Sequence, residues 1–466
     1  FINFANILKK KKAMTSKQYR KSSYVISVQV DTDKYVMLHG YSGAMDIVDK
    51  NIVLDLERHT FFDETVFDKE TFDVLCKRGY LTSRTEQEER LYVCRMAKAL
   101  CQKDSIVCSA FTFMVSYNCN FKCPYCFEQK GTANEPLMAT MSKQCVDACF
   151  EAMEELQQNK LKRSTKIALF GGEPLLKENV PIVEYIVNEG VKRGYKFYAV
   201  TNGYDLDSFE DALSPERICS LQVTIDGMEN LHNSKRVHKT GYPTFAKIIS
   251  NIGLALRHGI FVTVRFNADK TNTEQLVELK RYFDELGYTK NRKFTIDAAR
   301  LVNYDEKLEP SQKNLFFTQK EFIQDARISN FEYGCHDYST YDKIWYSIKN
   351  KTPLPYKGTF CGAQTSSYVF DPFYKIYPCW EVVGNSAHQI GSFIGGKILW
   401  NKDVFSKWKN VDVTSFDECL LCECALFCGG GCLAKSKNHC TQMKGFIENA
   451  IRKIYKQKFI KPKNYE

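Results

Sequence analysis

Between residues 111 and 302 the chain alternates short apolar, β-branched runs with longer stretches of helical periodicity. The runs fall at 111–115, 166–170, 196–200, 221–225, 261–266 and 293–296, and the helical stretches at roughly 141–157, 181–193, 207–213, 243–258 and 273–286. Six strands separated by helices predict a parallel sheet with right-handed crossovers. At this length the sheet is either doubly wound or a barrel, complete or partial, and in both ligand chemistry collects at the C-terminal ends of the strands. Upstream, 24–30 and 34–38 read as a hairpin turning at Asp31-Thr32-Asp33, with helices over 71–79 (stopping at Gly79) and 91–100. A small α+β module over 23–110 follows, with nothing catalytic in it. Residues 303–360 form a Lys-, Asp- and Tyr-rich connection with helical pieces. Residues 361–445 lack long periodic runs and are expected to draw their order from bound metal rather than from a hydrophobic core.

Polar and glycine residues recur at the ends of the predicted strands. Cys119, Cys123 and Cys126 follow the first, and Gly171-Gly172-Glu173-Pro174 the second. Thr201-Asn202-Gly203 follows the third and Asp226-Gly227 the fourth, while Arg265 and Asn267 end the fifth. Taken singly, Asp226 reads as a helix cap, Arg265 as an ion-pair partner and Asn202-Gly203 as a turn. Their placement on one rim favours a ligand site instead.

Composition narrows the class. Of 466 residues 44% are hydrophobic and 26% charged, a globular balance. No apolar run approaches the ~20 residues of a membrane helix. The net charge of +10 is concentrated at the ends: 1–21 carry seven Lys/Arg and no acid, and 451–466 carry six against Glu466, which leaves the body slightly acidic. That argues against a nucleic-acid-binding body and predicts two solvated basic tails, 1–22 and 446–466, the first disordered. Lys9 to Lys12 follow the apolar start, the reverse of a secretory signal. Met14 is the first methionine, so either translation begins there or the chain lacks its start. Nineteen cysteines, an odd number in tight clusters, point to metal in a reducing, cytoplasmic compartment rather than to disulfides. Cys145 and Cys149, at i,i+4 on a helix, read as small core residues, as do Cys76, Cys94, Cys101, Cys108 and Cys219.

The loop after the first strand, Cys119-x3-Cys123-x2-Cys126, places three soft ligands together, which fits an iron–sulfur cluster or zinc. A closed zinc site needs a fourth ligand, and His232 and His238 are distant in sequence. These residues resemble the radical S-adenosylmethionine (radical SAM) enzymes, in which such a triad holds a [4Fe–4S] cluster whose open iron is chelated by SAM. The resemblance implies a partial (β/α)6 barrel over 111–302. It places Tyr125 near the adenine, and Gly171, Gly172, Glu173 and Pro174 at the SAM amino group, where glycine lets the backbone approach closely. Thr201, Asn202, Asp226, Arg265 and Asn267 match ribose- and carboxylate-contacting positions. Thr224-Ile225-Asp226-Gly227, His232-Asn233 and Arg236 are similar to the peptide-modifying branch, which usually has Asp where Asn233 stands.

A second cluster, Cys419-x2-Cys422-x5-Cys428-x3-Cys432 followed by Cys440, has Cys361 and Cys379 upstream and Gly429-Gly430-Gly431 to fold the backbone closely. Spacing alone admits a zinc ribbon, but seven or eight thiolates are too many for one zinc and suit two clusters. The region resembles the SPASM extension of radical SAM peptide maturases. By that resemblance Cys419, Cys422, Cys428 and Cys440 hold one auxiliary [4Fe–4S] cluster, and Cys361, Cys379 and Cys432 the other. The fourth ligand of the latter is Cys335, Cys424 or none. Two positions depart from the pattern: Tyr374 replaces a usual glycine, and Trp380 then Glu381 follow Cys379 where anaerobic sulfatase maturases have an acid directly.

The resemblance implies reductive cleavage of SAM to a 5′-deoxyadenosyl radical that modifies a ribosomally made precursor peptide by a thioether or other cross-link. The electron donor would be a flavodoxin or ferredoxin, with neither nucleic acid nor membrane as partner. The 23–110 module, which resembles small winged-helix recognition elements around Glu70-Thr71-Phe72 and Gly79-Tyr80-Leu81, would grip a leader segment by strand addition or would only cover the barrel. The alternatives are an anaerobic sulfatase maturase that forms formylglycine and, in another class, a zinc-stabilised binding protein.

Overall fold

The computed structural model describes residues 18–107, 109–130, 138–302, 309–331, 333, 335–337, 339–395, 397–435 and 440–460. Its centre is six parallel strands, Ser109–Ser116, Arg163–Gly171, Lys196–Thr201, Ile218–Thr224, Phe261–Ala268 and Phe294–Arg300, hydrogen-bonded in chain order. A doubly wound sheet reverses its strand order at a switch point, and this one does not, so the arrangement is of the barrel kind. The barrel is open. The sixth strand is an edge, and the first pairs on its far side with Ser367–Phe370, in parallel register from Ser367 opposite Ala110 to Phe370 opposite Phe113.

The helices between the strands follow from apolar periodicity and capping. Lys143–Leu156 starts where Ser142 accepts a hydrogen bond from the Cys145 amide, and it buries Cys145, Val146, Cys149, Phe150 and Met153 along one stripe. Val180–Lys192, Phe245–Arg257 and Gln275–Glu285 bury equivalent stripes. Cys145, Cys149 and Cys219 are core residues as expected, Cys76, Cys94 and Cys101 are half-buried, and Cys108 lies outside the described residues.

The N-terminal module is a three-stranded antiparallel sheet, Val25–Gln29, Lys34–His39 and Met45–Asp49, followed by helices Lys50–Arg58, Lys69–Arg78 and Glu86–Val107. The third strand and the first helix go beyond the anticipated hairpin and two helices. The helix expected over 71–79 stops at Gly79, whose φ of 88° is the left-handed cap that glycine provides. Glu89 ties the module together. This fully buried carboxylate accepts hydrogen bonds from Arg20, Ser22, Tyr41 and the Ser23 amide.

Three expectations are corrected. Residues 361–445 do have a hydrophobic core in their first half. Ser367–Phe370, Lys375–Tyr377, Gly391–Ile394 and Lys397–Trp400 extend the barrel sheet to ten strands, with Phe370, Ile376, Tyr377 and Phe393 fully buried. The stretch 446–466 is not simply a solvated tail. Met443–Tyr455 is a helix whose Phe446, Ile447, Ala450, Ile451 and Ile454 pack against Ile26 and Val28 of the N-terminal sheet and Ile344, with its charges on the outer face. Within 1–22, Arg20–Lys21 pairs with Leu81–Thr82; residues 1–17 and 461–466 lie outside the described residues. Among the described residues no helix is long and apolar enough to cross a membrane.

Candidate functional site at the barrel rim

The loop bearing Cys119, Cys123 and Cys126 leaves the first strand at Ser116 and is stapled on three sides. Asn202 donates its side-chain amide to Asn120 (2.7 Å), and Asn120 in turn donates to Asp205. The Lys122 amide donates to the Val237 carbonyl, and the Lys239 amide to that of Asn120. Beneath, the Gly172 amide donates to Ser116 O and the Glu173 amide to Asn118 O. A Cβ on Gly172 would lie 2.5 Å from Tyr117 O and 2.7 Å from Asn118 O, and one on Gly171 (φ 152°) 2.3 Å from Ser116 O. These glycines therefore admit the cysteine loop itself, a closer partner than the ligand approach expected of them.

Glu173 is buried and holds the second and third strand ends together. It accepts from Thr201 Oγ1 (2.6 Å), the Asn202 amide (2.6 Å) and the Leu175 amide (2.9 Å), and burial pushes its carboxyl up to about 7. Asp226 is likewise fully buried. It accepts from the Tyr125 hydroxyl and the Asn267 amide, so it sets the third aromatic of the cysteine loop rather than capping a helix. Arg236 donates to the Tyr125 hydroxyl (3.3 Å), lies over the Phe121 ring and faces Cys123, and its Nε is buried without a partner. Arg265 pairs with Asp297 (3.5 Å) and donates to Asn267. Asn233 accepts three hydrogen bonds through Oδ1, from the Thr244 amide and hydroxyl and the Phe245 amide. A carboxylate oxygen would accept the same three, which accounts for the tolerated departure.

These elements enclose a cavity of about 440 Å³. Tyr125, Cys126, Gly171, Gly172, Glu173, Thr201, Asn202, Arg265 and Asn267 line it, whereas Pro174 and Asp226 stand behind the wall. Glu128, Arg236, Arg300 and His336 also line it, as do Trp380, Glu381 and Lys435 from the Cys-rich region. Trp380 stacks on Phe170 of the second strand (5.3 Å, 18°), which turns Glu381 toward the cavity one residue later than the pattern expects. Arg236 belongs to the stretch similar to the peptide-modifying branch, and its sequence position alone suggested no role. Arg300, His336 and Lys435 gave no sequence signal: Arg300 ends the sixth strand beyond its predicted bounds, and the other two come to the rim from outside the barrel strands.

The donor set suits iron–sulfur clusters. Burial raises the Cys119 thiol to about 12 and the Cys123 thiol above its ordinary value. Loading with a metal cluster must therefore expel protons, as cationic iron does for thiolate ligands. In the C-terminal region several thiols lie near one another. Cys419 feels Cys428, Cys422 and Cys440, and Cys379 feels Cys361 and Cys432. Cys335 has Asp337 and Asp297 nearby, and Cys424 has Cys422 and Cys428. Gly429, Gly430 and Gly431 have φ of 74°, 96° and 84°, and a Cβ on Gly429 would strike Thr359 O at 2.2 Å. Tyr374 has φ 59°, which explains why glycine is usual there. Among the described residues no three His, Cys, Asp or Glu side chains converge on a single-ion site.

Residues 113–283 match the sequence family described as the radical SAM superfamily. That segment carries a radical SAM domain, which a Cys-rich C-terminal region follows, and the family implies SAM and a [4Fe–4S] cluster. It is 24% identical over 379 residues to the cysteine-type anaerobic sulfatase-maturating enzyme of Clostridium perfringens (strain 13 / Type A), covering 73% of this chain and 95% of that protein. Over 153 residues it is 30% identical to the GTP 3',8-cyclase of Psychromonas ingrahamii, 32% of this chain and 41% of the relative. The solved structure of native anSMEcpe with bound AdoMet and the Cp18Cys peptide shares the fold, with a TM-score of 0.54 at 18% identity over 76% of this chain and 97% of that one.

Proposed function

We propose that the chain is a peptide-modifying radical SAM enzyme with three [4Fe–4S] clusters. In this reading Cys119, Cys123 and Cys126 hold the first and leave one iron for SAM, with Tyr125, Gly171, Gly172, Glu173, Thr201, Asn202, Arg265 and Asn267 around the nucleoside and methionyl parts. Pro174 and Asp226 shape that wall from behind. Cys419, Cys422, Cys428 and Cys440 hold a second cluster, and Cys361, Cys379 and Cys432 a third with one open iron. Bound in the rim site, SAM and its cluster supply a 5′-deoxyadenosyl radical when a flavodoxin- or ferredoxin-like donor provides an electron. The chain's own residues position the substrate hydrogen and keep water away.

The observation that carries the reading is the shared cavity: Trp380, Glu381 and Lys435 of the Cys-rich region line the same space as Tyr125, Glu173 and Asn202. A peptide side chain entering it meets both the radical source and the triplet of cysteines behind Glu381. The edge strand Met45–Asp49, paired on one side only among the described residues, suits a leader segment added as a further strand. A second reading, sulfatase maturation, is favoured by Glu381, which brings an acid to the cavity despite Trp380, and by the sulfatase-maturating relative spanning nearly its full length. Incubation with SAM, a reductant and a cysteine-containing peptide separates the two by mass spectrometry. Loss of two hydrogens with both residues retained supports cross-linking, conversion of a cysteine to an aldehyde supports formylglycine formation, and no 5′-deoxyadenosine at all defeats both.

A further inference from the structure

The outer side of the cysteine loop carries features that SAM binding leaves unexplained. Cys126 lines the cavity, whereas Cys119 and Cys123 do not. Cys119 Sγ accepts a hydrogen bond from the Phe121 amide at 3.4 Å. The buried Phe121 ring meets those of His238 (5.7 Å between centres) and Tyr204 (5.8 Å), which lie 4.6 Å apart and are half-buried. One buried ring therefore joins Cys119 to rings that reach the surface. Four lysines stand around them. Lys122 and Lys239 belong to the two segments that pair at Phe121 and His238. The Lys177 amide donates to Asp205 (3.3 Å). Lys247 lies 4.4 Å from the centre of the Tyr204 ring, 3.7 Å from Asp205 and 3.5 Å from Asp207. Lys122, Lys177 and Lys239 are exposed, and none forms an ion pair among the described residues. Set against those two aspartates, the four lysines make this face positive on a slightly acidic body. Pro124 and Tyr242, exposed in the same two segments, add apolar surface. Solvated lysines are ordinary by themselves; these surround the place where a single ring leads to a loop thiol.

We propose that this face docks the one-electron donor, a small carrier protein that surrounds its own redox group with acidic side chains. The inference rests on the reading that Cys119, Cys123 and Cys126 hold the cluster at which SAM is cleaved. One electron leaves the reduced carrier and reaches the SAM sulfonium through that cluster. The S–C5′ bond breaks to methionine and the 5′-deoxyadenosyl radical, and the carrier departs oxidised by one electron. Electron transfer weakens steeply with distance, so the carrier must dock where little protein covers a cluster ligand. Phe121 provides such a place. Neither Phe121, Tyr204 nor any of the four lysines lines the cavity, so a docked carrier leaves the substrate's space clear. Redox partners bury little area and bind weakly. Opposite charge is what brings them together quickly and in register, and the exposed lysines supply it.

The test compares two reductants on the anaerobically reconstituted full chain: dithionite, which needs no docking surface, and photoreduced flavodoxin, an acidic carrier. In the parent, flavodoxin-supported formation of 5′-deoxyadenosine falls as salt rises. A carbodiimide joins flavodoxin carboxylates to Lys122 or Lys239, as read by peptide mass spectrometry. The double variant Lys122→Glu/Lys239→Glu lowers the rate at limiting flavodoxin by about 10-fold or more. It also weakens flavodoxin binding in calorimetry and leaves the dithionite rate unchanged. Lys122→Arg/Lys239→Arg keeps the parent's behaviour. An unchanged flavodoxin rate in the Glu variant overturns the proposal, and so do cross-links confined to other lysines. If the Glu variant loses iron, Lys122→Gln/Lys239→Gln replaces it. Equal loss with both reductants in that variant makes the lysines structural residues and overturns the proposal. A parent that cleaves SAM with dithionite but with neither reduced flavodoxin nor reduced ferredoxin defeats this inference alone. No cleavage with dithionite defeats the underlying reading.

Discussion

In the proposed function the barrel rim and the C-terminal cysteine region face the same demand, to present thiolates to iron, and they are built by opposite means. At the rim the loop is held by strand ends: Glu173 brackets the second and third, Asn202 clamps Asn120, and two glycines admit the loop backbone. Of the C-terminal thiols, Cys419 and Cys428 ride on four-residue helices, Asp417–Leu420 and Ala425–Cys428, and three left-handed glycines follow the second. The rim is preformed and would survive loss of its cluster. The C-terminal loop has only short helical turns of its own and, in the proposed function, takes further order from metal.

Replacing Cys119, Cys123 and Cys126 together by Ala breaks the comparison on the side of function. Reductive SAM cleavage is expected to fall at least about 100-fold and iron by about a third, with the melting temperature within a few degrees of the parent. Replacing Cys419, Cys422, Cys428 and Cys440 does the reverse to the fold. The same loss of about four irons is expected to lower the melting temperature markedly, because the N-terminal sheet packs on this loop through Tyr24, whose hydroxyl donates to Leu420 O. Equal melting temperatures in the two variants would erase the distinction.

Gly172→Val probes the rim more locally. Its Cβ must displace Tyr117 or Asn118, so the expected result is a lower melting temperature and loss of rim iron. A soluble variant with full iron and weak SAM binding would mean that the ligand, not the loop, fills that space.

The legible part of the molecule was the part written in local pattern. Short apolar, β-branched runs marked six strands, with polar or glycine residues at the ends of the first five, and the structure placed all six strands within a few residues. Pairing of Ser367–Phe370 with Ser109–Ser116 joins strands some 250 residues apart, and strands of three or four residues carry too little period to announce a sheet. The helix Met443–Tyr455 was legible in its spacing of Phe446, Ile447, Ala450, Ile451 and Ile454, but the charge count of the terminus obscured it. Arg300 and His336 reach the cavity from a strand end and a connection whose neighbours only folding assembles.

A smaller effect sharpens the account of Glu173. Burial raises its folded pKa to about 7 from an ordinary 4.5, so its contribution to stability is full at low pH and is lost as pH rises from about 4.5 through about 7. A cationic amino group bound beside it would draw the proton off. SAM affinity is therefore expected to increase as pH rises through about 7, and Glu173→Gln should flatten that profile in a binding titration. A pH-independent affinity in the parent would remove Glu173 from the ligand's surroundings. The smallest change expected is Asn233→Asp, within about 0.5 kcal/mol of the parent in chemical denaturation, against a loss of about 1 kcal/mol for Asn233→Ala.

The central claim is that one chain holds a SAM-binding cluster at the rim and two more in the C-terminal cysteine region. Iron, acid-labile sulfide and zinc counted together in the anaerobically reconstituted protein test it most directly. The account predicts about twelve irons and as many sulfides per chain with no zinc. About four irons with one zinc would contradict it and leave the C-terminal region as a metal-stabilised scaffold around a single-cluster enzyme.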